Sequence, residues 1–134
     1  MRIQLSLSIL ALIGCTSQPP EQAAPRAAGA RADLVATVSC MRIEDSPRLA
    51  IAIANVGDFA AAASRTIVRF GSDPATSVMR ATGSIAAKGV RSFELDFPAA
   101  CERTECTWNV TVDAGREVDE ADEGNNNASG RCGG

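Results

Sequence analysis

The chain has 134 residues and a formal net charge of −3, from 13 Lys and Arg against 16 Asp and Glu, so it lacks the basic excess of a nucleic-acid-binding surface. It contains no His and no Tyr. Without His, neither a Ser-His-Asp nor a Cys-His catalytic arrangement can be built, and the commonest metal ligand is missing.

The first residues read as an export signal. Met1 and Arg2 supply a short positive end. Ile3 to Ile13 is apolar apart from Gln4, Ser6 and Ser8, and its 11 residues fall well short of the roughly 20 that span a bilayer as a helix. A basic end, a short apolar stretch and then small residues form the pattern of a cleaved signal peptide, here residues 1–14. Pro19, Pro20 and Pro25 follow and stop any helix from continuing. At the end of the stretch, Leu12-Ile13-Gly14-Cys15 resembles the bacterial lipobox. That resemblance implies that Cys15 is lipidated on its sulfur and becomes the first mature residue, with further acyl chains at its amino group. Each buried CH₂ contributes about 0.8 kcal/mol, and stable anchoring takes more than one chain. Thr16, not Asp, follows the Cys, which by the enterobacterial sorting rule favours the outer membrane over the inner. Residues 15–32 are rich in Ala, Pro and Gln, with only Glu21, Arg26 and Arg31 charged, and read as a lipidated Cys and flexible tether.

Residues 33–132 carry the pattern of one all-β domain. Leu34, Ala36, Val38 and Cys40 mark a first strand. Asp45-Ser46-Pro47 is a turn signal, after which Leu49, Ile51 and Ile53 alternate with Ala50, Ala52 and Ala54. That alternation predicts a strand between a large-residue face and a small-residue face. Asn55-Val56-Gly57-Asp58 is the next turn, and Ala60 to Ala63 reads as a linker or short turn. Thr66, Val68 and Phe70 face one way, with Arg65, Ile67 and Arg69 opposite; Gly71-Ser72-Asp73-Pro74 ends that strand. Another strand is expected within Met79 to Ala87, ending at Lys88-Gly89. Phe93-Glu94-Leu95-Asp96-Phe97 alternates strictly, as does Cys106-Thr107-Trp108-Asn109-Val110-Thr111-Val112-Asp113. Several short strands at near-regular spacing, separated by turn residues, argue for a β-sandwich. Phe59, Phe70, Phe93, Phe97 and Trp108 are the only aromatics, so the core is thin and cross-links would compensate for limited burial.

With lipid on Cys15, four cysteines remain: Cys40, Cys101, Cys106 and Cys132. An even number in an exported chain implies two disulfides, with three possible connectivities. The favoured pairing is Cys40 with Cys132, tying the opening strand to the C-terminal segment, and Cys101 with Cys106, closing the short loop Glu102-Arg103-Thr104-Glu105. A tetrathiolate zinc site is disfavoured, because the Cys101 to Cys106 spacing is wider than a zinc knuckle and no second close pair exists.

Three features resemble, in order, the CARDB family, whose name denotes a cell adhesion related domain found in bacteria. They are Asp33-Leu34-Val35, then Ala52-Ile53-Ala54-Asn55-Val56-Gly57, then Val110-Thr111-Val112-Asp113 followed by Val118-Asp119-Glu120-Ala121-Asp122-Glu123-Gly124-Asn125-Asn126. The last stretch is the most specific, since family members typically close an acidic segment on Glu-x-Asn-Asn. The resemblance covers about residues 33–130 and implies an immunoglobulin-like sandwich of about seven strands. It implies no reaction, and the four cysteines lie outside the common family pattern.

The acidic segment admits two readings. Asp113, Glu117, Asp119, Glu120, Asp122 and Glu123 face one cation, Arg116. Calcium prefers oxygen ligands, and Asp113, Asp119, Glu120, Asp122 and Glu123 are the candidates, although their spacing is not that of an EF-hand loop. The favoured alternative is a strand connection held by local side-chain bonds to backbone N–H groups, with Asn125 and Asn126 suited to left-handed geometry and the carboxylates solvated. A glycosidase pair is not suggested, because the carboxylates fall in one short segment. The expectation is therefore a non-catalytic lipoprotein of the cell envelope, with no cofactor beyond a candidate calcium. Its membrane contact is through the N-terminal lipid, and its partner is an envelope protein, a polysaccharide or a second copy. The alternative is a calcium-responsive or structural accessory module.

Overall fold

The computed structural model describes residues 30–101 and 105–133. Residues 1–29, read above as a signal peptide, Cys15 and part of a tether, lie outside the described residues, as do Glu102, Arg103 and Thr104. Among the described residues there are seven strands: β1 (Leu34–Ile43), β2 (Ser46–Asn55), β3 (Ser64–Phe70), β4 (Ser77–Thr82), β5 (Val90–Asp96), β6 (Cys106–Thr111) and β7 (Asn127–Cys132). They form a three-stranded sheet in the order β1-β2-β5 and a four-stranded sheet in the order β4-β3-β6-β7. Every strand pair is antiparallel. The chain changes sheet between β2 and β3, between β4 and β5, and between β5 and β6. The result is the all-β, immunoglobulin-like sandwich expected from the alternation.

β2 shows why the sequence folds this way. Leu49, Ile51 and Ile53 are at most 1% exposed and meet Val68, Phe70, Trp108 and Val110 from the opposing sheet. Fully burying one such side chain contributes about 1.5–3 kcal/mol. Phe70 and Phe97 pack with ring centroids 5.1 Å apart at 57°, the tilted arrangement that ring quadrupoles favour. Opposite Leu49, Ile51 and Ile53, the small residues Ala50 and Ala52 share the outer face with Thr37, Ser39 and Ser92. Two disulfides fasten the sandwich. Cys40 on β1 is bonded to Cys132 on β7, which joins the edge strands of the two sheets. Cys101, at the end of a 3₁₀ turn, is bonded to Cys106 at the start of β6.

Several elements differ from the sequence expectation. The β1–β2 turn is Glu44-Asp45, both with left-handed φ (49° and 64°), the two-residue form whose twist suits a hairpin. Ser46 and Pro47 already pair with Ile43 and Arg42. Pro47 is tolerated because it sits at the strand start, before the β5 ladder begins at Arg48. The strand expected within Met79–Ala87 starts at Ser77 and ends at Thr82. Thr82 and Ile85 both point inward, at 6% and 3% exposure, but they are three residues apart, which a continuous strand of period two cannot provide. The chain bends at Gly83-Ser84, and Ile85 forms an isolated bridge with Ala61. Phe59 adds nothing to the core, being 42% exposed.

Candidate functional site

The segment between β6 and β7 folds back over the end of the sandwich where β1 begins. Val112 N–H donates to the Asn126 carbonyl at 2.8 Å, closing the base of the loop. Asp113 then turns the chain with φ 46°. Its carboxylate is buried and accepts the N–H groups of Glu117 (2.8 Å) and Val118 (3.0 Å). Arg116, also left-handed at φ 50°, donates its N–H to the Asp113 carbonyl. Val118 and Glu120, two residues apart, are both buried, at 6% and 2% exposure.

Glu120 is the centre of the arrangement. Oε1 accepts the Leu34 N–H at 2.7 Å, and Oε2 accepts the Asn126 Nδ2. Its backbone pairs in parallel with Ala32, and the Ala121 N–H donates to the Ala32 carbonyl at 2.9 Å. Arg31 and Ala32, at the end of the segment read as a tether, are thus attached to the domain. Burial pushes the Glu120 carboxyl above the ordinary glutamate range. The Asn126 amide and Leu34 N–H pull it down, and the charges of Glu123 and Asp113 push it up.

Of the five calcium candidates, three converge. Asp113, Glu120 and Glu123 each offer a carboxylate oxygen within 4.8 Å of the other two. Asp119 instead reaches Arg31 at 3.5 Å. Asp122 accepts the Gly124 N–H at 2.8 Å as a local turn. The local-bonding reading therefore describes Asp113 and Asp122. It fails for Asn125 and Asn126, whose side chains bond carboxylates: Asn125 donates to Asp33 at 2.7 Å, and Asn126 donates to Glu120 and, at 3.5 Å, to Glu123. The left-handed residues here are Asp113 and Arg116 rather than the two Asn, and Asp113 and Glu120 are buried rather than solvated.

Two polar residues carry more of this end of the fold than the sequence reading assigned to them. Asn55, 1% exposed, accepts the N–H groups of Asp33 and Gly57 and donates to the carbonyls of Phe59, Ile85 and Ala86. It continues the inward phase of Leu49, Ile51 and Ile53, so the alternation itself contains the signal. Asn126, 5% exposed, lies against Glu120 and Glu123, and its Oδ1 has no hydrogen-bond partner.

The CARDB family model matches residues 32–130. The CARDB domain of a Pyrococcus furiosus protein, a crystal structure in complex with di-metal ions, superposes with a TM-score of 0.61 at 17% identity, covering 77% of this chain and 88% of that one. A domain of a Methanosarcina acetivorans protein named for a cell-surface role superposes with a TM-score of 0.61 at 18% identity, covering 77% and 91%. Among curated proteins no match is found. The chain spans most of both solved domains, its strands and sheets account for the likeness, and the family match runs the length of the sandwich: the chain belongs to the CARDB family.

Proposed function

We propose that the protein is a lipid-anchored, non-catalytic module of the cell envelope that presents its sandwich to a polysaccharide or to another envelope protein. The observation that carries this reading is the outer face of the β1-β2-β5 sheet. It holds a shallow depression of about 480 Å³ lined by Thr37, Ser39, Ala50, Ile51, Ala52, Ser92, Phe93 and Glu94. Small side chains let a partner approach the sheet closely. Three hydroxyls and one carboxylate supply hydrogen bonds, and the lining holds no paired acid and base. Membership in the CARDB family and the Leu12-Ile13-Gly14-Cys15 motif support a surface role and a lipid anchor, on the outer membrane by the identity of Thr16. Crosslinking of the intact lipoprotein in its own envelope, with mass spectrometry of the captured species, tests the reading. Capture should be lost with Ser92→Arg at unchanged melting temperature, and Cys15→Ala should release the chain from the membrane fraction. Capture insensitive to Ser92→Arg would place the contact elsewhere, and a Cys15→Ala chain that stays membrane-bound would remove the anchor.

A second reading, a module that responds to a divalent cation, is favoured by the convergence of Asp113, Glu120 and Glu123 and by the two metal ions of the Pyrococcus relative. A cation that binds only the folded chain raises stability by RT ln(1 + [L]/Kd). The melting temperature should therefore rise with millimolar calcium, and an unchanged value would remove this reading.

A further inference from the structure

We infer that Asp113, Glu120 and Glu123, completed by the side-chain oxygen of Asn126, form a single calcium site that clamps the β6–β7 loop onto the residues leading into β1. This rests on the cation reading above and deepens it by naming the ligands, the ion and the consequence. The first observation is uncompensated charge. Asp113 and Glu120 are each 2% exposed, and among the described residues no Lys or Arg forms an ion pair with them or with Glu123. Buried carboxylates normally require a counter-charge, a metal or a proton. Here hydrogen bonds from backbone N–H groups and from Asn126 satisfy individual oxygens but leave the summed charge in place.

The second observation concerns an uncharged side chain. Asn126 is 5% exposed. Its nitrogen rests on Glu120 and Glu123 while its oxygen is buried with no partner. Buried polar atoms almost always find one. Rotation of the amide would bring the oxygen onto the two carboxylates, a position that a cation between them, like a proton on Glu120, makes favourable. The three carboxylates then gain a fourth, neutral ligand of the kind that calcium accepts.

The donor set selects the ion. Calcium takes six to eight oxygen ligands in flexible geometry, whereas magnesium demands a near-ideal octahedron; Asp113, Glu120 and Glu123 offer carboxylate oxygens alone, gathered within 4.8 Å of one another. Asp113 and Glu120 are pinned by backbone N–H groups at 2.7–3.0 Å, so the cluster cannot contract readily round the smaller ion. Because Glu120 also holds the Leu34 N–H and Ala121 holds the Ala32 carbonyl, fixing Glu120 on an ion fixes the start of β1 as well.

The test is calorimetric titration of the full chain in detergent with calcium chloride, magnesium chloride in parallel, and hydrogen exchange at the Leu34 and Ala121 amides. One calcium per chain is expected, bound more tightly than magnesium, with both amides exchanging more slowly in calcium. Glu123→Gln, at an exposed position, and Asn126→Ala should each weaken binding by about tenfold or more, while Asp122→Asn should leave it unchanged. If Asn126→Ala does not fold, Glu123→Gln alone decides. No calcium binding at all overturns the cation reading and this inference together. Calcium binding that is indifferent to Glu123→Gln keeps the cation reading and overturns this site. Equal affinity for magnesium overturns the choice of ion, and unchanged amide exchange overturns the clamp.

Discussion

Asn55 engages its whole side chain with backbone: one oxygen receives two N–H groups, and one nitrogen reaches three carbonyls on two different loops. Removing it leaves several buried backbone groups without partners, each costing about 1–3 kcal/mol. Asn55→Leu, close in volume and unable to hydrogen-bond, is therefore expected to lower stability by about 3–5 kcal/mol, measured by chemical denaturation. A loss under about 1 kcal/mol would mean that water replaces the amide. Glu120 makes a different kind of demand. Burial is the largest influence on its carboxyl and holds it above the ordinary glutamate range. A carboxyl raised in the folded state binds its proton more tightly there than in the unfolded chain. Its contribution to stability is thus fully present below the unfolded value and is lost as pH rises through the folded one. In the presence of a chelator, wild type should lose stability relative to Glu120→Gln as pH rises from the ordinary glutamate range towards neutrality. Melting the two chains side by side across that window measures the gap, and a constant gap would contradict the burial argument.

The turn after β2 shows how a short motif organises neighbouring segments. Asn55-Val56-Gly57 brings the chain back against residues 31–33. Val56 N–H donates to the Asp33 carbonyl at 2.8 Å, and Asp58 N–H donates to that of Arg31 at 3.0 Å. A Cβ on Gly57 would lie 2.2 Å from the Arg31 carbonyl oxygen and 2.7 Å from backbone atoms of Ala32 and Asp33. Gly57→Ala should therefore cost about 1–3 kcal/mol and speed hydrogen exchange at the Val56 and Asp58 amides; unchanged exchange would show that the segments separate without strain. Which elements were readable in advance follows the same logic. β2, β3 and β6 carry large apolar residues on alternate positions and announce themselves. β4 and β7 lie at the edges of their sheet; β4 shows in the sequence with shifted bounds, and β7 does not show. The inward positions of β7 are Ala128, Gly130 and Cys132, and a Cβ on Gly130 would fall 2.5 Å from the Trp108 ring, so the apolar mass covering that strand belongs to β6. The acidic segment was plain from composition. Which three of its carboxylates meet depends on the burial of Val118 and Glu120 and on the backbone of β1, which local spacing does not encode.

Taken as one body, the sandwich is closed unequally by its two disulfides, and the inequality is testable. Cys40–Cys132 links the edge strands of opposite sheets across a sequence separation of 92, whereas Cys101–Cys106 spans 5. If a cross-link acts by restricting the unfolded chain, the first contributes about 4–5 kcal/mol and the second about 2 kcal/mol. A domain of this size has a thin core, with Phe59 exposed and Phe93 only partly buried, and total stabilities of small domains run to about 5–15 kcal/mol. Loss of the long-range bridge therefore removes a large share of the whole. Cys40→Ser with Cys132→Ser should lower the melting temperature by about 20 °C or more, and Cys101→Ser with Cys106→Ser by about half as much. The ranking matters more than either value. Chain entropy orders the bridges by the length of loop they close, whereas local packing orders them by burial. Cys101 and Cys106 are both buried, at 8% and 7% exposure, whereas the long bridge joins a buried Cys132, at 5%, to an exposed Cys40. A larger loss from the short bridge would therefore assign the stabilisation to packing around the sulfurs; a larger loss from the long one assigns it to holding the two sheets together at their shared edge.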